Sequence, residues 1–341
     1  MIGIIGDLHL KEKLGYSEFF PDGRVEEKNK ILDEIVNDLS DCESIVMMGD
    51  QLNARNNPSS VLKELVALME RFQNKHIYVI AGNHEKFGDG KSAIDFLKEI
   101  KNKNWTIVTD TCENVVIDGM NCVLCPYFSK AELGVKDDEE GKKLLMEILN
   151  KKTGKILFCH QTISSFITSS NCLTDSFNEI ILSKKELEKK FDKIFAGHIH
   201  KPQNDGNTVL CGSIFNNEIG ENGKFIFTVD KDLTVNKIKL PGVSIIKVEN
   251  PTLASLEKID KNSLVKLFFD KKSEEIDAIR EYCRNNFKAS IIIESLKTER
   301  SKTKAIKGEL DFSIENLIKI YAKEKKLKIE DLLEAYELIR N

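Results

Sequence analysis

The sequence predicts an α/β protein: a four-layer αββα sandwich of two stacked sheets with helices outside, plus a small C-terminal α/β cap and terminal helices. Strand-like apolar runs alternate with amphipathic segments up to Trp105, which indicates a largely parallel sheet covered by helices. Beyond Trp105 the apolar runs are short and few helical segments separate them, which indicates a second sheet. Pro241-Gly242 then interrupts the chain, and a shorter α/β pattern follows.

The first sheet is predicted from strands that alternate with helices. The strands are Ile2 to Ile5, Ser44 to Met48 and His76 to Ala81. The helices are expected at Arg24 to Ser40, from near Pro58 onward, and at Ser92 to Lys101, where apolar residues recur at helical spacing. Beyond Trp105, short strands are predicted at Val115 to Ile117, Cys122 to Cys125, Ile156 to Cys159, Ile194 to Ala196, Val209 to Cys211, Phe225 to Val229 and Val235 to Leu240.

Three segments are predicted along the chain. Residues 1–241 form the two-sheet domain, residues 242–300 a small α/β domain, and residues 301–341 a basic linker with C-terminal helices. The small domain is predicted from strands at Ile245 to Val248, Val265 to Phe269 and Ser290 to Glu294, with a helix near residues 274–285. The terminal helices carry an apolar stripe that includes Leu317, Tyr321, Leu332, Leu333 and Tyr336.

Composition and charge are those of an ordinary globular protein, with 41% hydrophobic and 31% charged residues. No apolar run approaches the ~20 residues that a transmembrane helix needs. No basic region precedes the first strand, so a signal peptide is not expected, and we expect a cytoplasmic protein with no membrane partner. The net charge of −4 argues against a free-standing DNA-binding module. The negative net charge is a weaker argument against an enzyme whose site carries the positive charge of metal ions.

The eight cysteines do not form a disulfide or zinc framework. Cys122 and Cys125 lie in a predicted strand, where positions i and i+3 face opposite sides, so the two thiols cannot share a metal ion. The other six lie singly among apolar residues, as small buried hydrophobic side chains do in a reducing compartment.

Five of the six histidines lie in four short segments that each follow an apolar run. The segments are IGDLHL, GNHE, FCHQ and AGHIH, and a further apolar run ends in Gly49-Asp50. In open α/β sheets, functional residues gather beyond the carboxyl ends of the strands. The sequence therefore predicts one site built from Asp7, His9, Asp50, Asn83, His84, His160, His198 and His200.

The chemistry of this set indicates a pair of metal ions. Oxygen and imidazole ligands without thiolates suit Mn²⁺, Fe²⁺ or Zn²⁺. Seven such ligands with one bridging carboxylate suffice for two ions, which at a separation of ~3.5–4 Å can clamp a phosphate and lower the pKa of a shared water. The alternative is that the histidines are core or capping residues, but five of six at strand ends beside glycines argue against it.

In their order along the chain, these segments resemble the five motifs of the calcineurin-like metallophosphoesterases, over residues 1 to about 215. The resemblance implies that one ion is held by Asp7, His9, Asp50 and His200. It implies that a second ion is held by Asp50, Asn83, His160 and His198, with Asp50 bridging. It also implies that His84 binds no metal but faces the substrate phosphate and assists the leaving oxygen. Two divalent ions are the expected cofactors, and Mn²⁺ is the ion we favour.

The chain continues after the last motif through a compact α/β unit and terminal helices, and in this it resembles SbcD-type DNA repair nucleases, including the small subunits of bacteriophage recombination nucleases. Ser/Thr phosphatases share GNHE but normally follow the second motif with Asp-Arg, whereas this chain has Gln51-Leu52-Asn53-Ala54 there. Pro126-Tyr127 and Gln161 also resemble the nucleases. The resemblance implies a DNA exonuclease or endonuclease of recombination and double-strand-break repair, in the host cytoplasm if the source is a bacteriophage. The implied partners are DNA and an SbcC-type ABC ATPase with a long coiled coil. Whether the chain forms a homodimer is left open by the sequence.

One departure from the nuclease pattern is Asn53, where these enzymes usually have Asp or His. We predict that Asn53 orients the His84 ring through a hydrogen bond but supplies no charge, so that His84 acts as a neutral donor. Two alternatives to a DNA nuclease therefore stay open. The first is a phosphoprotein phosphatase or small-molecule phosphodiesterase, and the second is a weakly catalytic scaffold that regulates the ATPase.

Two features near the C-terminus have two interpretations each. The basic run from Lys297 to Lys307 is either a solvated linker or a contact for DNA or the partner. The apolar stripe of the terminal helices either packs on its own protein or binds the ATPase.

Overall fold

Two sheets of the protein pack face to face. The structure is a computed structural model, and it describes residues 1–221, 223–269 and 275–294. The strands are β1 (Ile2–Ile5), β2 (Ser44–Met47), β3 (His76–Ile80), β4 (Trp105–Val108), β5 (Glu113–Ile117), β6 (Met120–Cys125), β7 (Ile156–Cys159), β8 (Thr162–Ile163), β9 (Ile181–Leu182), β10 (Lys193–Ala196), β11 (Gln203–Asp205), β12 (Thr208–Leu210), β13 (Phe225–Val229), β14 (Val235–Lys239), β15 (Ile245–Glu249), β16 (Leu264–Phe269) and β17 (Ala289–Glu294). The helices are α1 (Val25–Asp38), α2 (Ser59–Arg71), α3 (Phe96–Glu99), α4 (Lys130–Leu133), α5 (Asp138–Asn150), α6 (Lys184–Lys190), α7 (Leu253–Leu256) and α8 (Ile276–Asn286).

The first sheet has the strand order β14–β13–β1–β2–β3–β4. Strands β1 to β4 are parallel, with Ile5 opposite Met47 and Met47 opposite Val79, whereas β13 and β14 run antiparallel. Helices α1 and α2 cover its outer face through an apolar cluster that includes Ile35 and Leu65. Both faces of these strands are covered, and β1 and β2 are accordingly buried at every position rather than at alternate ones.

The second sheet has the order β11–β12–β10–β7–β6–β5. Strands β6, β7, β10 and β12 are parallel, with Cys125 opposite Cys159 and Cys159 opposite Ala196. Helices α5 and α6 cover its outer face, where Leu145 and Leu187 are fully buried. The carboxyl ends of β7 and β10 therefore meet at one edge of this sheet.

A central apolar cluster joins the two sheets. It contains Ile4 and Val46 of the first sheet and Phe158 and Phe195 of the second, and the two phenylalanine rings stack with centroids 5.3 Å apart. The protein is thus an α/β protein with two mixed sheets and helices, consistent with the predicted αββα sandwich. Cys122 lies in this central cluster; Cys125 lies in the outer one, so the prediction that they face opposite sides is confirmed.

The structure corrects two helix predictions. The helix expected over Ser92 to Lys101 is a single turn, α3, because Asp95 accepts a hydrogen bond from the Ser92 amide at 2.6 Å and one from Thr109 at 3.0 Å. These bonds hold the preceding residues in an irregular turn. The expectation of few helices beyond Trp105 is also wrong, since α4, α5 and α6 all lie between β6 and β10.

A third, smaller sheet follows residue 242. Its strands β15, β16 and β17 are parallel, and Leu256 of α7 and Ile279 of α8 pack on one face of it, in agreement with the predicted small α/β pattern. The domain boundaries at residues 241 and 300 stay predictions. The basic run and the apolar C-terminal stripe, within residues 297–341, lie outside the described residues. Among the residues that are described, no helix is long and apolar enough to cross a membrane.

Candidate metal centre

The predicted site residues meet beyond the carboxyl ends of five strands. Asp7 and His9 follow β1, Asp50 follows β2, and Asn83 and His84 follow β3. His160 follows β7, and His198 and His200 follow β10. Three groups have their ligand atoms within 4.8 Å of one another, namely Asp7 with His9 and His200, Asp50 with His160 and His198, and His9 with Asp50 and His84.

Asp50 lies at the centre of these groups. Its Oδ2 is 3.3 Å from Nε2 of His160 and 3.7 Å from Nε2 of His9, while its Oδ1 accepts a hydrogen bond from the His84 amide at 2.8 Å. The carboxylate is 1% exposed. A buried carboxylate between two histidines that belong to different groups has the position of a bridging ligand.

The turns that carry these side chains hold the backbone in a conformation rare for residues other than glycine. The φ angles are 46° at His9, 48° at Asp50 and 78° at His198, and such left-handed residues are typical of functional sites. The loops are joined by main-chain hydrogen bonds, one from the His9 amide to the Asp50 carbonyl at 2.8 Å. At Gly82 an added Cβ would lie 2.1 Å from Oδ1 of Asp50, so the third loop reaches the site only because residue 82 has no side chain.

Hydrogen bonds orient the histidine rings. Nδ1 of His160 lies 2.7 Å from the Met48 carbonyl oxygen, so it donates there and leaves Nε2 towards Asp50. Nε2 of His9 lies 2.9 Å from Nε2 of His200, and Nδ1 of His198 lies 2.8 Å from Oδ1 of Asn83. Ring nitrogens and side-chain oxygens that can bind a metal ion therefore converge on one another.

Burial and neighbouring charges shift the pKa values of the site residues. Burial disfavours the charged form of His160, but the carboxylates of Asp50 and Asp7 outweigh it and raise the pKa of His160 to about 10. Burial lowers the pKa of His9 to about 3, although Asp50 opposes this shift. Burial also raises the pKa of Asp7, whereas His160 and His9 lower that of Asp50 against the effect of its burial.

These residues fit divalent cations. Oδ1 of Asp7 is buried and has no hydrogen-bond partner within the described residues, which is costly for a carboxylate oxygen unless a cation completes the site. The donor set of imidazoles, carboxylates and one amide, without thiolates, suits first-row divalent ions. The arrangement is a candidate His/Asp metal site of the kind found in dimetal phosphoesterases.

His84 lies at the exposed side of the cluster. Its Nδ1 is 2.8 Å from the main-chain oxygen of Asn53, so the hydrogen bond predicted from the Asn53 side chain comes instead from the carbonyl group. The side chain at position 53 is therefore not what orients the ring. With Nδ1–H donated to that carbonyl, a neutral His84 presents only an acceptor at Nε2. Proton donation to a leaving oxygen thus requires the imidazolium, which corrects the expectation of a neutral donor.

The site also contains three glutamates that were not predicted from the sequence. Glu85 is fully buried, and its carboxylate accepts hydrogen bonds from the amides of Leu52 at 2.9 Å and Gly82 at 2.8 Å. It thereby joins the loops after β2 and β3, and burial raises its pKa to about 8. Glu85 was visible as the last residue of GNHE. Glu179 and Glu221, which contact His198 and His200, follow no motif.

A comparison with protein families agrees with this site. Residues 1–202 match the family model described as calcineurin-like phosphoesterase, and the chain therefore belongs to that family. It is a metal-dependent phosphoesterase, a hydrolase. A solved structure of an archaeal phosphodiesterase is distantly similar, with 14% identity and a TM-score of 0.34 over 70% of this chain and 99% of that one. A search of curated proteins finds no significant match.

Proposed function

We propose that the chain is a two-metal DNA phosphodiesterase, the nuclease subunit of a recombination and repair complex. The observation that carries the two-metal part is the position of Asp50 between two groups of ligands. One ion would be held by Asp7, His9, Asp50 and His200. The other would be held by Asp50, Asn83, His160 and His198. When bound, such a pair of ions supplies positive charge beside the phosphate oxygens and lowers the pKa of a bound water.

The residues of the chain itself have three tasks in this proposal. Asp50 holds the two groups of ligands in one arrangement through its contacts to His9, His160 and the His84 amide. The Asn53 carbonyl orients the His84 ring, and the protonated ring donates its Nε2 proton to the leaving oxygen. General-acid catalysis of this kind contributes ~10²- to 10⁴-fold.

A phosphodiester is favoured over a monoester by the surface beside His84. A pocket of about 430 Å³ is lined by Asn53, Arg55, Asn56 and His84, among other residues. Arg55 is exposed, and a guanidinium is charged at every physiological pH. The Arg55 cation and the amides of Asn53 and Asn56 are available in this pocket to a group that extends past the reacting phosphate. A monoester has no such group, whereas a nucleic acid strand has the next phosphate.

The substrate is tested by comparing a monoester, a small diester and DNA. We expect the full-length chain to hydrolyse bis(para-nitrophenyl) phosphate and end-labelled DNA faster than para-nitrophenyl phosphate. Mn²⁺ should support the reaction better than Mg²⁺, because an imidazole-rich site favours the softer ion. Rapid monoester turnover without action on DNA would instead identify a phosphatase.

The partner part of the proposal depends on the C-terminal stripe. Helix-in-groove contacts are carried by a few apolar anchors, and Leu317, Tyr321, Leu332, Leu333 and Tyr336 have the spacing of such anchors. We propose that they bind an ABC-type ATPase with a long coiled coil. Co-purification of the full-length chain with that ATPase tests this part independently of the metal site.

A further inference from the structure

Tyr127 lies beside the metal centre but is neither a proposed ligand nor the proposed acid. It belongs to the pair Pro126-Tyr127, which directly follows β6. Because β6 and β7 are parallel, Tyr127 leaves the second sheet at the same edge as His160. Proline has no amide hydrogen for a strand ladder, so the pairing of β6 ends there and residue 127 is free to meet the site.

The Tyr127 ring contacts both histidines of the group that contains Asp50. Its centroid lies 5.8 Å from that of His198, with the planes 30° apart, and 6.4 Å from that of His160, with the planes 76° apart. Within the described residues, no other Tyr, Phe or Trp ring contacts a histidine of the site. A phosphate bound at this group of ligands therefore comes next to the Tyr127 side chain.

The hydroxyl of Tyr127 makes no hydrogen bond to the part of the chain that the structure describes. The side chain is half-buried, but its oxygen is not among the enclosed atoms. The carboxylates of Glu179 and Asp50 are near enough to act electrostatically on the phenol, which places the hydroxyl near the proposed bridging ligand. A phenol can donate as well as accept, so an unused donor faces the metal centre.

Hydrogen bonds hold the peptide groups on both sides of the Tyr127 ring. The Tyr127 amide donates to the carbonyl of Ala81, just after β3, at 2.9 Å. The Phe128 amide donates to Oε1 of Gln161 at 3.2 Å, and Nε2 of Gln161 donates to the Ile180 carbonyl at 2.9 Å. Gln161 is fully buried. The loop that carries Tyr127 is thus fixed from both sheets before a substrate arrives.

We propose that Tyr127 donates a hydrogen bond to a non-bridging oxygen of the bound phosphate, and that Gln161 is the positioning residue that holds its loop. This proposal rests on phosphate binding at the proposed two-metal site, but not on DNA as the substrate. In phosphoryl transfer the charge is spread over the non-bridging oxygens, and a donor that is already in place stabilises it without reorganisation. The contact involves neither base nor sugar, so it serves any phosphodiester.

Inorganic phosphate is a probe that tests this contact without turnover. Tyr127→Phe keeps the ring against His198 and removes only the hydroxyl, so the affinity of the full-length chain for Mn²⁺ should not change. Calorimetric titration of phosphate into the Mn²⁺-loaded variant should show binding that is ~10- to 100-fold weaker than in the wild type, the size of one hydrogen bond to a charged group. Tyr78→Phe, which removes a phenol in the middle of β3, is the matched control.

The outcomes of this titration separate the hydroxyl contact from the rest of the account. Wild-type phosphate affinity in both Tyr127→Phe and the control would overturn the proposal. No uptake of Mn²⁺ by the wild type would overturn the two-metal site and the proposal with it. Weakened phosphate binding in Tyr127→Phe, together with a wild-type chain that does not hydrolyse DNA, would support the contact and refute only DNA as the substrate.

Hydrolysis of bis(para-nitrophenyl) phosphate distinguishes the hydroxyl from the ring. We expect Tyr127→Phe to lower kcat/KM by ~10- to 100-fold, mainly through kcat, because the donor acts on charge that develops in the transition state. If the ring instead packed on an ester group of the substrate, Tyr127→Phe would be as active as the wild type and only Tyr127→Ala would lose activity. That result would overturn the proposal.

A double-mutant cycle tests the role of Gln161. Gln161→Met keeps the approximate volume of the side chain and removes both of its hydrogen bonds. It should weaken phosphate binding in the wild-type background but change little in the Tyr127→Phe background, because residues that act through one contact are not additive. Losses that add in the double variant would show that Gln161 has only a structural role. Tyr127→Phe requires no change at Gln161, so it decides on the hydroxyl even if Gln161→Met does not fold.

Discussion

At Gly82, one added methyl group should abolish the binding of both metal ions. An alanine Cβ there would lie 2.1 Å from Oδ1 and 2.3 Å from the amide nitrogen of Asp50. The φ angle of Gly82 is −96°, which any residue adopts, so the effect of Gly82→Ala is steric. Asp50 has to move by about 1 Å to relieve the contact, and a displacement of that size can cost ~100-fold in rate. Overpacking of this kind also destabilises the fold by ~1–3 kcal/mol.

The control is Gly88→Ala. Gly88 lies six residues further along the chain and has a φ of +85°, with nothing within 4 Å of an added Cβ. This variant should lose ~1–2 kcal/mol through the left-handed backbone but keep both ions. Calorimetry with Mn²⁺ measures the loss of metal binding, the rate of diester hydrolysis measures the displacement of Asp50, and thermal unfolding measures the loss of stability. Full metal affinity in Gly82→Ala would refute the placement of Asp50 against the loop after β3.

Three further predictions concern His84, the protons and the C-terminus. His84→Ala should keep both ions but lower kcat by ~10²- to 10⁴-fold. Asn53→Ala should lower kcat less, because the main-chain carbonyl of residue 53 orients the ring. Equal loss of metal in His84→Ala and Asp50→Ala would show that His84 is a ligand. In the metal-free chain the pKa of His160 is raised to about 10, so metal uptake at pH 7 must release its proton, and the affinity for metal should rise with pH towards 10. Calorimetric titration in buffers of different ionisation enthalpy measures this proton release, and its absence would contradict the prediction. A chain truncated near Leu310 should keep its metals and basal hydrolysis but lose co-purification with the ATPase; equal recovery would show that the partner docks elsewhere.

The site could be predicted from the sequence because each polar motif directly follows a buried strand. Once β1, β2 and β3 are parallel, Asp7, Asp50 and Asn83 must emerge at the same edge of the first sheet. The pairing of β7 with β10 places His160 and His198 at the matching edge of the second sheet in the same way. The spacing of apolar runs is a local signal, and it was sufficient to predict that these side chains lie close together; their roles stay predictions.

The contacts behind the ligands could not be predicted in this way. Glu179 lies 19 residues before His198, and Glu221 lies 21 residues after His200. Neither follows an apolar run, so only the folded chain shows that they meet the two rings. The bond from His84 to the Asn53 carbonyl depends on the conformation of the loop after β2, which residue types at that position do not specify.

The metal content of the full-length chain and of Asp50→Ala tests the central claim most directly. Asp50 contacts both groups of ligands, so its loss should affect two ions at once. Asp110→Ala, which removes an exposed carboxylate, is the control for loss of a negative charge. We expect two tightly bound Mn²⁺ ions per wild-type chain and per control chain, and none in Asp50→Ala. A single ion in the wild type, or two ions retained in Asp50→Ala, would contradict the two-metal centre bridged by Asp50.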